Sequence, residues 1–144
     1  LMKLGLYSEL ARQNVVKARQ MIAEKNISPD RVGMQEFRRQ IIEFNDPQLN
    51  LLKNSNDFYS TSEFRDLLFH VQERRFTIPE ISQALDKLGL TFIGFEFSEK
   101  IEKDSFKKTY PKQGDQYDLD KWHEYETLNP RLFSGMYQFW IQKL

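Results

Sequence analysis

Thr77-Ile78-Pro79-Glu80-Ile81-Ser82-Gln83-Ala84-Leu85-Asp86-Lys87-Leu88-Gly89 runs directly into Leu90-Thr91-Phe92-Ile93-Gly94-Phe95-Glu96-Phe97. Thr77 and Glu80 have the spacing of a capping box, in which the threonine oxygen accepts from the third backbone amide and the glutamate reaches back to the cap. Ile81, Leu85 and Leu88 follow on one helical face, and Gly89 supplies a left-handed end. The segment from Leu90 to Phe97 is apolar on both faces, which predicts an internal or well-covered strand between helices. A helix that ends in glycine and passes straight into such a strand predicts an α/β fold with parallel strands and helical crossovers.

Working outward, Leu67-Leu68-Phe69-His70-Val71 is a short apolar run ahead of that helix, and its length predicts a buried strand. With Leu90–Phe97 it would complete a strand-helix-strand unit. Residues 1–7 alternate and predict a first strand, after which Ser8 can cap a helix carrying Val15, Ala18 and Ile22 through about Lys25. Ser28-Pro29-Asp30 predicts the next helix start, with a cap hydroxyl, proline in the first turn and an acid at the positive end of the dipole; Met34, Phe37, Ile41 and Phe44 form its stripe. Asn45-Asp46-Pro47 ends that helix and begins a short one through Leu52. Beyond Phe97, Ser98 can cap a helix to Tyr110, and Asp118 one from Leu119 to Leu128. The stripe Phe133, Met136, Tyr137, Trp140 and Leu144 predicts a terminal amphipathic helix. The expectation is about three strands and about six helices, with residues 1–97 forming the α/β part and 98–144 a helical extension packed on it.

Composition limits the chemistry. The 144 residues carry 21 basic and 21 acidic side chains, so no net field draws in nucleic acid or anionic membrane. No apolar run approaches the ~20 residues of a membrane span. The chain has no cysteine and two histidines, His70 and His123, which removes thiol nucleophiles and thiolate zinc sites. Trp122-His123-Glu124-Tyr125-Glu126 places a histidine near carboxylates on one helix, but without a second histidine it is a poor metal set, and no metal is expected. Glu73-Arg74-Arg75 has guanidinium forks that recognise carboxylate or phosphate, against the plainer reading of a solvated polar turn.

Three groups of residues are candidates for a substrate pocket. His70 lies at the carboxyl end of the expected strand, where ligands of open α/β sheets collect, although a partly buried histidine satisfied by backbone explains it as well. Phe58, Tyr59 and Ser60, with Thr61 and Ser62, combine rings and hydroxyls as a stacking and hydrogen-bonding site would; helix capping is the plain alternative. Arg65 beside Asp66 serves either that pocket or a structural ion pair.

The opening Met2-Lys3-Leu4-Gly5-Leu6-Tyr7-Ser8-Glu9, the stretch from Asp57 through Glu73 and on to Glu96, and the tail containing Trp122-His123, Tyr125-Glu126, Asn129-Pro130 and Phe133 to Trp140 resemble bacterial Rossmann-like S-adenosylmethionine-dependent methyltransferases, of the kind fused to tetratricopeptide repeats. The resemblance covers nearly the whole chain and implies the last three strands of that fold, a partial Rossmann-like sheet on the substrate side. It also implies that Tyr7 and Ser8, ending the first strand, face the ligand crevice; core packing and helix capping are their plain readings.

That family holds its methyl donor at a Gly-rich turn, whereas the six glycines here, Gly5, Gly33, Gly89, Gly94, Gly114 and Gly135, are isolated. The expected function is therefore a C-terminal, substrate-side methyltransferase fragment, inactive alone, which binds no cofactor by itself and whose parent uses S-adenosylmethionine. Its catalytic residues stay unassigned. The alternative is a non-catalytic α/β module for protein interaction or dimerisation. A start within a strand and a missing half predict exposed edges, hence a homodimer or pairing with the absent N-terminal half, in the cytoplasm.

Overall fold

The computed structural model describes residues 1–70, 72–98 and 100–143. In chain order the elements are β1 (Met2–Ser8), α1 (Gln13–Glu24), α2 (Arg31–Glu43), α3 (Pro47–Asn50), 3-10 turns at Leu51–Asn54 and Asn56–Phe58, α4 (Thr61–Phe69), β2 (Arg75–Phe76), α5 (Ile78–Leu88), β3 (Leu90–Phe95), α6 (Lys100–Thr109), a 3-10 turn at Asp115–Tyr117, α7 (Leu119–Leu128) and β4 (Tyr137–Lys143). The chain is α/β and divides into two compact units, one of Leu1–Ala11 with Arg74–Leu144 and one of Arg12–Glu73.

The first unit carries the sheet, whose order is β2-β1-β4-β3. β1 and β2 are parallel, with Tyr7 opposite Arg75 and Ser8 opposite Phe76. β4 runs antiparallel to both β1 and β3, with Leu4 opposite Phe139 and Phe95 opposite the same residue on the other side. The sheet is therefore open and mixed, with four strands among the described residues where about three were expected. Phe95 is the hub of its core: Phe92, Phe133, Tyr137, Phe139 and Trp122 all pack their rings against it. Trp122 of α7 also stacks on Phe106 of α6 at 3.5 Å between ring centres and 7° between planes. Each such ring, fully buried, stabilises the unit by about 1.5–3 kcal/mol.

The local signals around α5 hold. Thr77 and Glu80 form the capping box, and Gly89 ends the helix at φ 62°, ψ 40°, a conformation that only glycine adopts without strain. Ile81 and Leu85 are buried, but Leu88 points to solvent.

The expected strands are corrected at four points. The terminal stripe is a strand, because the residues that are buried, Tyr137, Phe139 and Ile141, alternate with period two, and β1 and β3 offer hydrogen bonds on both sides. Leu144 lies outside the described residues. The run Leu67–Phe69 closes helix α4 instead of forming a strand, since Phe64, Leu67 and Leu68 share a helical face and Ser60 caps the first turn through the Glu63 amide; Val71 lies outside the described residues. The strand before α5 is only Arg75–Phe76, and two strands, β1 and β4, lie between it and β3, so no strand-helix-strand pair of neighbours forms. β3 itself is an edge strand, with Phe92 and Phe95 its buried residues.

The second unit is helical. α1, α2 and α4 bury Val15, Ala18, Phe37, Ile41, Phe64 and Leu68, joined by Leu49, Leu52 and Phe58 from the short segments between them. Asp30, not Ser28, caps α2: its carboxylate accepts from the Gly33 amide, and the Ser28 hydroxyl donates to that carboxylate at 2.7 Å. A Cβ on Gly33 would lie 2.2 Å from the Ser28 carbonyl oxygen, so only glycine permits this close turn. α1 starts at Gln13 with no side-chain cap, five residues beyond Ser8.

Candidate functional site

Ser8 ends β1 at its carboxyl edge and is fully buried. Its hydroxyl accepts from the Ala11 amide at 3.1 Å and donates to Glu126 Oε1 at 2.6 Å. Tyr137, the first residue of β4, places its phenol oxygen 2.7 Å from Glu126 Oε1 and 2.8 Å from Oε2. Glu126 comes from α7 and is 2% exposed. Three elements thus converge on one carboxyl at the end of the sheet where open α/β folds gather ligands.

No cation pairs with Glu126 among the described residues, so burial dominates and raises its pKa; the hydrogen bonds from Ser8 and Tyr137, and the more distant His123, oppose that rise. Burial raises the Tyr137 phenol as well, helped by the Glu126 carboxyl. The phenol hydroxyl is within hydrogen-bond distance of both carboxyl oxygens and is shared between them. The cluster is closed to solvent, and the Ser8 proton is already committed to Glu126. Its chemistry is positional: it pins the end of β1 to α7 and β4.

Tyr7, the other candidate on β1, is half-buried opposite Arg75. The remaining candidates all lie in the helical unit. Phe58 is fully buried, its ring edge-on to Tyr59 at 5.2 Å and to Phe64 at 5.4 Å. Tyr59 is 64% exposed, Ser60 is the cap of α4, Arg65 is exposed, and His70 follows the last residue of α4 at the surface. Arg38 is the organising cation of this region: its guanidinium lies 4.6 Å from the Phe64 ring centre and donates to the Ser60 carbonyl at 3.3 Å. The hydroxyls and rings that resembled a pocket serve mainly as a cap and a core, leaving Tyr59 and Arg65 facing solvent.

Glu73-Arg74-Arg75 separates into individual contacts. Within the helical unit Glu73 receives Arg12 at 3.2 and 2.6 Å and Arg19 at 3.0 Å. In the sheet unit Arg75 donates to Glu9 at 2.9 Å, and Arg74 lies 4.9 Å from the Phe76 ring centre. Among the described residues no group of three or more histidines and carboxylates is placed to hold a metal ion.

The turn from β1 to α1, Ser8 to Arg12, contains no glycine, and Arg12 at its end is tied to Glu73. A turn without glycine lacks the bare backbone by which a Gly-rich turn approaches a nucleotide.

The sequence reading missed Glu126 and Tyr137 as partners of Ser8. A signal was present: Trp122, Tyr125 and Glu126 stand at i, i+3 and i+4, which puts the glutamate on the buried face of α7. No helix among the described residues is long and apolar enough to cross a membrane. The chain matches no family model, and no curated protein matches its sequence.

Proposed function

We propose that this chain is the substrate-side, C-terminal portion of a Rossmann-like S-adenosylmethionine-dependent methyltransferase, working in the cytoplasm as part of a larger catalytic unit. The observation that supports this reading is the direction of the strands. β1 and β2 are parallel, β4 runs against β1 and β3, and the ends of β1 and β4 are fastened together by Ser8, Glu126 and Tyr137 at the carboxyl edge. A rim fixed in that way suits a reaction whose rate depends on alignment of nucleophile and methyl carbon more than on a dedicated acid or base. No step through the donor is assigned to the residues of this chain.

The test compares two proteins by calorimetric titration with S-adenosylmethionine. This chain alone is expected to show no binding, and the same chain extended through its upstream reading frame is expected to bind. Binding by the isolated chain would overturn the claim that the donor half lies elsewhere. No binding by the extended protein would overturn the methyltransferase reading.

A second reading, an interaction or dimerisation module, is supported by exposed apolar side chains on the helical unit. Val32 and Ile42 of α2 are 74% and 55% exposed, with Phe44 beyond it at 51%. Sedimentation velocity separates the readings: a dimer that Val32→Glu with Ile42→Glu converts to monomer supports the module, and a monomer at every concentration rejects it.

A further inference from the structure

An open cavity of about 520 Å³ lies beside the carboxyl end of β3, between Phe97, Trp140, Lys100 and Lys103 and the 3-10 turn bearing Tyr117. Its size is that of a small-molecule site. Among the described residues the one acidic side chain in its wall, Glu96, is already engaged: Lys3 donates to Oε1 at 2.6 Å and the Trp140 indole N–H to Oε2 at 2.7 Å. The Trp122 indole, also in the wall, donates to the Gln116 carbonyl at 3.0 Å. Both indole donors are therefore spent within the protein, and the rings offer faces rather than hydrogen bonds. Lys100 and Lys103 stand one turn apart on α6, and neither has an ion-pair partner among the described residues. Two like charges at that spacing repel, and an anion between them would relieve the repulsion.

We propose that this cavity binds a planar aromatic anion, its ring against Trp140 and Tyr117 and its carboxylate or phosphate held by Lys100 and Lys103. The pairing follows from what the wall offers: indole faces whose N–H donors are spent, the Tyr117 ring, and two cations without an ion-pair partner among the described residues. A cationic ligand would meet two ammonium groups and, among the described residues, no free carboxylate to hold it. The assignment does not depend on the methyltransferase reading, because it uses no donor, no methyl acceptor and no residue of the Ser8 cluster.

The chain has two tryptophans, and both line the cavity, so the two indole N–H signals in a proton–nitrogen spectrum report on it directly. Indole-3-acetate and phenyl phosphate are the probes, with indole-3-acetamide as the uncharged twin of the first. At least one anion is expected to shift both signals saturably, and the probe that binds tighter identifies the anionic group. The amide is expected to bind about fivefold more weakly than the acetate, and Lys100→Glu with Lys103→Glu to weaken either anion about tenfold, each exposed charge contributing on the order of two- to fivefold. Both lysines are exposed, so the double variant is expected to keep its circular dichroism spectrum. The proposal is overturned if neither anion saturates below ~10 mM, if the amide binds as tightly as the acetate, or if the folded double variant binds unchanged.

Discussion

The two units each bury a glutamate, and they solve the problem in opposite ways. In the helical unit the Glu73 side chain is 6% exposed and sits between two guanidiniums, Arg12 at 2.6 Å and Arg19 at 3.0 Å. In the sheet unit Glu126 is surrounded by hydroxyls alone. Burial pushes both pKa values up. At Glu73 the hydrogen bond and charge of Arg12, with those of Arg19, outweigh burial and hold the carboxyl below its ordinary range. At Glu126 nothing outweighs it, and the value stays raised. The difference shows how surroundings tip a buried carboxyl: cations within reach hold its pKa down, and where only hydroxyls donate to it, burial keeps it up. Placement matters too, because Arg12 and Glu73 are the first and last residues of the helical unit, so their ion pair closes its two ends.

The largest expected effect comes from breaking the charged member. Glu73→Gln keeps the shape and takes from Arg12 and Arg19, whose side chains are 11% and 19% exposed, the carboxylate that they share. The expected loss is about 3–5 kcal/mol in urea denaturation. A triple replacement of Arg12, Arg19 and Glu73 by apolar residues of similar volume is expected to recover most of that loss, because none of the three charges then remains. The sign of the pH dependence follows from the lowered value: the stability that Glu73 supplies is present above the ordinary carboxylate range and lost as pH falls through the folded value. If Glu73→Gln leaves the acid limb of the stability profile intact, the ion cluster is not its source.

The hydroxyl-bound member gives the opposite slope. A raised folded value means that the contribution of Glu126 is fully present below its unfolded pKa, near 4.5, and declines as pH rises through the folded value. Glu126→Gln cannot ionise, so it is expected to match the wild type at the acid end and exceed it at the alkaline end, measured by urea denaturation from about pH 4 to 8. Tyr137→Phe removes the phenol from both carboxyl oxygens and is expected to cost about 1–3 kcal/mol, the penalty of an unsatisfied buried polar group. A wild-type profile that rises with pH relative to Glu126→Gln would place a charge, not a proton, on Glu126.

What was legible in the sequence was local. The α5 box and its glycine end are written within one segment, Thr77 to Gly89, and chain neighbours suffice to build them. The end of the chain is different. Phe133, Met136, Tyr137 and Trp140 satisfy a helical spacing, and only the ladder partners at Leu4 and Phe95, far away in sequence, select the strand instead. The same holds for Leu67 to Phe69, where a short apolar run suits either state until Phe64 and the Ser60 cap extend it backwards. Of the site, Ser8 is a candidate only because the methyltransferase resemblance implies a ligand crevice at the end of the first strand; the local pattern offers it as a helix cap. Its partner Glu126 lies 118 residues away, and the pairing depends on tertiary packing that no local pattern encodes.

The smallest effect tests the comparison most finely. Ser8→Ala removes one hydrogen bond to Glu126 and the acceptor of the Ala11 amide, leaving the phenol in place. At acid pH, with Glu126 neutral in both proteins, the cost is expected to be about 0.5–1.5 kcal/mol, the net worth of ordinary neutral hydrogen bonds. The Ser8 contact lowers the Glu126 pKa, so its loss raises that value further. Each increment widens the pH interval over which the folded state holds a proton that the unfolded chain has released. The cost of Ser8→Ala should therefore grow with pH, whereas the same substitution made in a Glu126→Gln background should cost the same at every pH. A cost independent of pH in both backgrounds would separate Ser8 from the titration of Glu126 and reduce it to a cap for the Ala11 amide.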